Sequence, residues 1–173
     1  LKNLDALPFP AFELAGDLSR YPGAYPVLRS PTMHMMASRG CSFDCTFCSE
    51  AVFGRTVRFR SAKNVADEIE LLERDFGVRE IFFQDDTMNL HRKWFYAVCD
   101  ELIARGLNRK VAFKTQFRCG RKLLDEELLA RAKAAGFWIV FYGVESGNQR
   151  VLDLMKKGTT VEEIRRAFAL THA

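Results

Sequence analysis

Beyond residue 30, the apolar positions follow two alternating patterns: short continuous runs, and longer stretches in which apolar residues recur every three or four positions. The short runs predict four strands, at residues 32–38, 79–84, 110–117 and 137–142. The last of them, "FWIVFY", is typical of a strand buried on both faces. The longer stretches predict amphipathic helices. Strands that alternate with helices predict an α/β fold with a parallel sheet and outer helices.

Capping residues mark the predicted helix boundaries. Residues that can cap a helix N-terminus precede all four helical stretches, at Ser61, Asn89, Asp125 and Thr160. Thr160 is followed by Glu163, which is the spacing of a capping box. Glycines end the first three helices, at Gly77, Gly106 and Gly136. The sequence therefore predicts four βα units in right-handed succession, as half of a barrel or as a small open α/β fold.

Polar and cysteine residues follow each predicted strand. A cysteine-containing loop follows the first strand, and Gln84, Asp85 and Asp86 follow the second. The ends of the third and fourth strands carry a further set of such residues: Gln116, Arg118, Cys119, Glu145 and Ser146. Ligands of parallel α/β folds bind at the carboxyl ends of the strands, so these residues are predicted to surround one site.

The first thirty residues differ in composition from the rest of the chain. They contain four of the five prolines and show no sustained helix or strand period, which predicts an extended linker or wrapping arm. Four apolar residues of this segment are expected to pack on the body of the domain or on a neighbouring one: Leu7, Phe9, Phe12 and Leu14. We therefore expect a domain boundary near residue 30 and a chain that is a piece of a larger protein.

The bulk composition is that of a soluble globular chain. The 173 residues are 48% hydrophobic and 28% charged, with a formal net charge of +4. No long uncharged apolar run is present, so we expect neither a signal peptide nor a membrane span, and we predict a cytoplasmic protein. A basic cluster at Arg55, Arg58, Arg60 and Lys63 suits an acidic partner or, more simply, a solvated face.

Three cysteines, Cys41, Cys45 and Cys48, fall within eight residues. Five cysteines in all, with no secretory signal, favour metal binding or catalysis over disulfides. A cysteine-lined core helix is one alternative, but Gly40 and the poor helix formers around the cysteines favour a loop. Structural zinc is another, and it would need His34 or Cys99 as a fourth ligand. Cys99 is better predicted as a packed core thiol.

A cubane iron-sulfur cluster explains why the loop has three cysteines and not two or four. Each of its four irons needs an outside ligand, so three cysteines leave one iron open. An open metal position is typical of a site that binds a substrate or cofactor. A cluster that only carries electrons is disfavoured, because such clusters take four cysteines.

The run "CSFDCTFC", which contains Cys41, Cys45 and Cys48, resembles the C-x3-C-x-aromatic-C signature of radical S-adenosylmethionine (SAM) enzymes, in a loop after the first strand of an α/β barrel. The resemblance implies a 4Fe-4S cluster on the three cysteines, with the methionyl amino and carboxylate groups of SAM on the fourth iron and Phe47 near the adenine. It also implies reductive cleavage of SAM to a 5′-deoxyadenosyl radical that abstracts hydrogen from a substrate. The implied fold is a partial barrel, with four βα units of the usual six.

Further roles follow from the resemblance, position by position. The family often has Gly-Gly-Glu after the second strand, where this chain has Gln84-Asp85-Asp86, so Asp85 and Asp86 are candidates for the methionyl ammonium, or Asp86 simply caps a turn. "GVESGNQRVL" is similar to the family's ribose-binding segment, which makes Glu145 and Ser146 candidates. Arg118 would pair with the methionyl carboxylate or form a surface salt bridge. No catalytic residue beyond the cluster ligands is assigned, and Cys119 is expected to be a bystander.

The arm sequence "LDALPFPAFEL", ahead of the cysteine run, is similar to the subgroup whose radical SAM domain follows a cobalamin-binding domain. The resemblance implies that residues 1–30 are the linker from that domain and 31–173 a C-terminally incomplete core domain. It implies a methyltransferase or a ring-forming enzyme with a small-molecule or natural-product substrate and an electron donor such as flavodoxin or ferredoxin. Neither a membrane nor nucleic acid is expected as a partner. The alternatives are a zinc-stapled binding module and a radical SAM enzyme without cobalamin.

Overall fold

The structure, a computed structural model, describes residues 2–49 and 52–172. Its six strands are β1 (Thr32–Met35), β2 (Ser38–Arg39), β3 (Arg58–Phe59), β4 (Glu80–Phe83), β5 (Ala112–Phe117) and β6 (Phe137–Tyr142). Four of these form a parallel sheet in the order β1-β4-β5-β6, which is also their order along the chain. The predicted α/β fold of four βα units is therefore confirmed. In the described residues the sheet stays open at β1 and β6 and does not close into a barrel.

The helices are α1 (Ala62–Phe76), α2 (Arg92–Ala104), α3 (Leu107–Lys110), α4 (Glu126–Ala134), α5 (Gln149–Leu154) and α6 (Val161–His172). Ser61, Asp125 and the Thr160–Glu163 capping box all cap as predicted. Asn89 does not, because its amide is buried between Arg118 and the next loop, and His91 caps α2 instead. No helix within 2–49 or 52–172 is long and apolar enough to cross a bilayer.

Aromatic packing joins the sheet to α2. The rings of Phe83 on β4, Phe113 on β5 and Phe137 on β6 lie with centroids 5.5–5.9 Å apart, and Phe95 of α2 packs on Phe137 at 5.6 Å. A fully buried phenylalanine contributes about 1.5–3 kcal/mol through removal of its surface from water. This cluster therefore fixes the relative positions of three strands, and with them the loops at the strand ends.

Strand β6 is less buried than its apolar sequence predicts. Only Phe137 is buried, Trp138 is 36% exposed, and the remaining residues are half-buried. The prediction of burial on both faces is wrong for these residues, because β6 is the edge of the described sheet and has a strand on one side only. A groove of about 1030 Å³, which none of the cysteines lines, runs along β6 beside α4 and α6.

The arm packs on the body of the domain. It contains three short 3₁₀ segments, Leu4–Ala6, Phe12–Ala15 and Leu18–Arg20, and buries Leu4, Phe12 and Leu18. Its first segment reaches the start of α1, where Asp5 Oδ1 accepts a hydrogen bond of 2.9 Å from Ser61 N. Phe12 then packs edge-on against Phe76 at the other end of α1, at 5.8 Å. Of the four apolar residues expected to pack, Phe12 is buried and Phe9 half-buried, whereas Leu7 and Leu14 stay exposed, so the prediction is wrong for those two.

A buried ion pair holds the last part of the arm against the sheet. Lys114 Nζ on β5 lies 2.7 Å from Glu80 Oε1 on β4, and both side chains are almost fully excluded from solvent. Lys114 also donates to Pro26 O at 2.8 Å, while Glu80 Oε2 accepts from Leu28 N at 2.7 Å and Arg29 N at 3.1 Å. This last part of the arm therefore covers the amino-terminal end of the strands and leaves the carboxyl-terminal end for a site.

Candidate functional site

A two-stranded antiparallel ribbon closes the cysteine loop. Ser38 pairs with Phe59 and Arg39 with Arg58, so β2 and β3 form the two stems, and the loop occupies 40–57, of which 50 and 51 lie outside the described residues. The three cysteines lie in this loop, outside any helix of the described residues, as the composition predicts. Thr46 N donates to Met155 O at 3.0 Å, which fastens the loop to the end of α5.

Gly40 begins the loop in a conformation that favours glycine. Its φ is +91°, and a Cβ atom there would lie 2.5 Å from the carbonyl oxygen of Thr56, two residues before the opposite stem. Its amide donates to Asp86 Oδ2 at 3.0 Å. The close approach of the two stems at this point therefore depends on the absence of a side chain.

Asp85 lies beneath the loop rather than in the space above it. Its carboxylate accepts hydrogen bonds from Ala37 N at 3.2 Å, from Ser38 N and from Ser38 Oγ at 2.5 Å. Burial raises the pKa of Asp85 to about 6, against these three hydrogen bonds, which lower it. The structure thus places Asp86 near the predicted site and Asp85 behind it.

A cavity of about 360 Å³ lies at the carboxyl-terminal ends of the strands, where the α/β topology predicts a ligand site. Eight of the residues singled out from the sequence line it: Cys41, Cys45, Phe47, Cys48, Asp86, Gln116, Arg118 and Glu145. Lining residues that the sequence analysis missed include Phe43, Phe53, Thr87 and Lys157. Of the other candidates, Ser146 Oγ accepts from Asn148 N at 3.1 Å just before α5, and Cys119 is a buried thiol outside the cavity lining.

Arg118 is a buried cation within this cavity. It is 7% exposed, its guanidinium carbon lies 3.6 Å from the ring centroid of Phe43, and Nη1 donates to Cys45 Sγ at 3.5 Å. Nη2 donates to Lys157 O, and the backbone N–H donates to Asn89 Oδ1 at 3.1 Å. Arg118 is therefore not a surface residue, and among residues 2–49 and 52–172 it forms no salt bridge of the kind that its sequence also allowed.

Lys157 supplies a second buried cation. It is 6% exposed, and its Nζ lies 2.9 Å from Glu145 Oε1 and 5.5 Å from the ring centroid of Phe47. Glu145 adopts a left-handed backbone with φ of +62°, which is uncommon for a residue other than glycine. In sequence, Lys157 is indistinguishable from its exposed neighbour Lys156, so only the fold reveals its position.

The donor set fits an iron-sulfur cluster. Among residues 2–49 and 52–172, no three His, Cys, Asp or Glu side chains converge to hold a single metal ion. A cubane binds each thiolate through a different iron, so its ligands surround a larger volume. The two side chains considered as a fourth zinc ligand lie elsewhere: Cys99 is buried in the core, and His34 Nδ1 lies 3.3 Å from Gln84 Nε2.

Comparison with known families agrees with the site. A sequence model of the Radical SAM superfamily matches residues 35–173, and the chain belongs to this superfamily. Membership implies a 4Fe-4S cluster and SAM as cofactors, and it supports the predicted enzyme rather than the zinc-stapled binding module.

Two curated relatives illustrate the range of enzymes that this chain resembles. It is 40% identical over 133 residues to the anaerobic magnesium-protoporphyrin IX monomethyl ester cyclase of Cereibacter sphaeroides, a match that covers 77% of this chain and 22% of the relative. It is 34% identical to the cytidylyl-2-hydroxyethylphosphonate methyltransferase of Streptomyces wedmorensis, over 92% of this chain and 30% of the relative. The chain thus spans less than a third of the length of either.

Two solved structures share the fold. The cobalamin-dependent SAM radical enzyme OxsB, with aqua-cobalamin bound, is 26% identical with a TM-score of 0.66, and the match covers 80% of this chain and 22% of that one. The radical SAM methyltransferase TsrM of Kitasatospora setae, with cobalamin and a [4Fe-4S] cluster bound, has a TM-score of 0.72 at 23% identity, over 80% of this chain and 28% of that one. The second likeness concerns the fold alone.

Proposed function

We propose that residues 31–173 are the radical SAM core domain of a larger enzyme, and that Cys41, Cys45 and Cys48 hold a 4Fe-4S cluster in the 360 Å³ cavity. The observation that carries the proposal is the meeting of all three thiols with two buried cations at the carboxyl ends of the strands. Positive charge beside the cysteines suits ligands that bind as thiolates. When bound, the cluster supplies the electron that cleaves SAM.

The remaining cavity residues match the charges of SAM. The methionyl end of SAM carries a carboxylate and an ammonium group, and the cavity offers Arg118 and Lys157 for the first and Asp86 for the second. Glu145 would then accept hydrogen bonds from the ribose, and Phe47, which is 49% exposed at the rim, would pack on the adenine. Asp85 and Ser146, which do not line the cavity, would act through the backbone segments that they hold.

The cavity also has apolar walls, which would reduce access of water once its ligands are bound. Phe43, Phe47 and Phe53 contribute apolar surface beside the cysteines, and Phe43 is held by the guanidinium of Arg118. Exclusion of water strengthens the charge interactions inside the cavity and protects reactive species. The ion pair between Lys157 and Glu145 would open as SAM binds, because each partner would then pair with a group of the ligand.

A comparison of two adjacent lysines tests this assignment. After anaerobic reconstitution, the wild-type protein is expected to bind about four irons per chain and to show an electron paramagnetic resonance (EPR) spectrum of the reduced cluster that SAM perturbs. Lys157→Met should retain the cluster but require at least about tenfold more SAM for the same perturbation, because a buried cation is lost. Lys156→Met is the control, since Lys156 is exposed and lies 3.9 Å from Asp44.

Two results would contradict the proposal. Colourless wild-type protein with stoichiometric zinc would show that the three cysteines bind zinc and not an iron-sulfur cluster. Equal SAM titrations for Lys157→Met and Lys156→Met, with a normal cluster in both, would keep the cluster but exclude Lys157 from the SAM site.

For the intact protein, we propose a cobalamin-dependent radical SAM enzyme in which residues 1–30 link an upstream cobalamin-binding domain to the core. The similarity to OxsB and the arm packed ahead of β1 support this proposal. The reaction would be methyl transfer to a small-molecule substrate, with electrons from a flavodoxin or ferredoxin, as the resemblance to a methyltransferase suggests. Ring formation is the second candidate, because the 40% identical relative is a cyclase.

Cobalamin content tests the wider proposal. The intact protein, purified in the dark after growth with cobalamin, is expected to carry about one cobalamin per chain, which its absorbance spectrum measures. Removal of the region ahead of residue 1 should abolish cobalamin binding and leave the iron content unchanged. An intact protein that never binds cobalamin would favour the branch of the superfamily that lacks it.

A further inference from the structure

Two buried carboxylates lie at opposite ends of β4, one at its start and one just beyond its end. Glu80, at the amino-terminal end, forms an ion pair with Lys114 and accepts two backbone hydrogen bonds from the arm. Asp85, two residues beyond the carboxyl-terminal end, is equally buried. In the described part of the chain no lysine or arginine forms an ion pair with Asp85. The two carboxylates therefore differ in how the protein compensates their charge.

Compensation for Asp85 comes entirely from one short segment. Ala37 N–H, Ser38 N–H and the Ser38 hydroxyl all donate to its two carboxylate oxygens. A buried carboxylate without a cation is costly, and burial accordingly raises the pKa of Asp85 to about 6. Three donors from two consecutive residues form a rigid link between the end of β4 and residues 37 and 38.

Residues 37 and 38 lie at the base of the cysteine loop, where they begin one stem and pair with the other. Ser38 pairs with Phe59 across the ribbon, and Ala37 O accepts from Arg60 N at 2.9 Å, so this segment holds both stems. Gly40 and Cys41 come two and three residues after Ser38, and Asp86, next to Asp85 in sequence, accepts a hydrogen bond of 3.0 Å from Gly40 N. A displacement of residues 37 and 38 would therefore move Cys41 relative to the rest of the cavity.

We propose that Asp85 is a positioning residue for the cysteine loop, which holds residues 37–40 and through them the place of Cys41. The inference rests on the proposed cluster for its functional meaning, although the link itself is independent of any cofactor. Asp85 does not line the cavity, so it acts through the loop and not on the cofactors directly.

The test compares the two buried carboxylates of β4 in the intact protein. Asp85→Asn has the same shape but only one acceptor oxygen, and its NH₂ group faces a donor, so loss of the cluster to a chelator should become about tenfold faster. The SAM-induced change in the EPR spectrum of the reduced cluster should also weaken. Glu80→Gln should lower the melting temperature by at least as much as Asp85→Asn does, yet lose its cluster at the wild-type rate.

Amide hydrogen exchange separates this inference from the proposed function. In the cluster-free protein, Asp85→Asn should speed exchange at residues 37–40, and Glu80→Gln should leave these amides unchanged. Ser38→Ala, which removes one of the three donors, should give a smaller increase. Unchanged exchange in Asp85→Asn, or equal cluster loss in the two carboxylate variants, would overturn the positioning role. If Asp85→Asn speeds exchange at residues 37–40 as expected but the wild-type protein takes up no cluster, the proposed function would be overturned. The positioning role of Asp85 would still stand.

Discussion

Replacement of Cys45 by alanine is expected to abolish cluster assembly and SAM cleavage. In the proposed site each thiolate binds one iron, so removal of a single cysteine leaves two open irons where the chemistry needs one. Cys45 also lies 3.5 Å from the guanidinium of Arg118, within the cavity that all three cysteines line. Iron content after anaerobic reconstitution and release of methionine from SAM measure the effect, which should be the same for Cys41 and Cys48.

Cys99→Ala is the matched control for this experiment. Cys99 is a buried thiol of α2 whose pKa is raised by burial to about 12, and it lies in the core, outside the cavity that the loop cysteines line. The control should lose some stability, as core truncations do, but keep its iron and its activity. SAM cleavage retained in Cys45→Ala would show that Cys45 is not a cluster ligand. Cluster loss in a folded Cys99→Ala would show that the three loop cysteines are not sufficient to hold the cluster.

Substitution of Gly40 by alanine is expected to have the second largest effect. A left-handed backbone costs an alanine about 1–2 kcal/mol. The added Cβ would also lie 2.5 Å from the carbonyl oxygen of Thr56, so the two stems of the loop must separate. We expect a protein that keeps its far-UV circular dichroism but retains little cluster after desalting.

Gly54→Ala controls for the backbone term alone. Gly54 lies in the same loop with φ of +69°, but a Cβ atom there meets nothing within 4 Å. Gly54→Ala should therefore lose only about 1–2 kcal/mol of stability, which is what a left-handed backbone costs an alanine, and it should keep most of its cluster. Equal cluster loss in both variants would mean that glycine flexibility, and not the approach of the stems at Gly40, matters to the loop.

The fold was largely predictable because it is governed by local patterns. Apolar periodicity identifies the four strands of the parallel sheet, and short-range capping at Ser61, Asp125 and Thr160 fixes the starts of three helices. Local sequence does not determine the role of Asn89, since the same side chain can cap a helix or bridge two loops. The tertiary contacts with Arg118 decide in favour of the bridge.

The site was only partly predictable, for a related reason. The cysteines, Asp86, Arg118 and Glu145 follow strands directly, so topology alone brings them to one cavity. Lys157 follows a helix, and which of two consecutive lysines is buried depends on how α5 packs. Asp85 and Asp86 are likewise identical in type and adjacent, but the twist of the chain after β4 turns one beneath the loop and the other towards the cavity.

The arm begins beside the cysteine loop and ends at the opposite end of the strands. Asp5 binds the backbone of Ser61, two residues beyond β3, so the first described residues run beside the stem of the cysteine loop. The arm then follows α1 to Phe76 and reaches the opposite end of the strands near Pro26. In the proposed intact enzyme, a cobalamin-binding domain ahead of the arm would therefore join the chain on the side of the cysteine loop and not at the amino-terminal end of the strands.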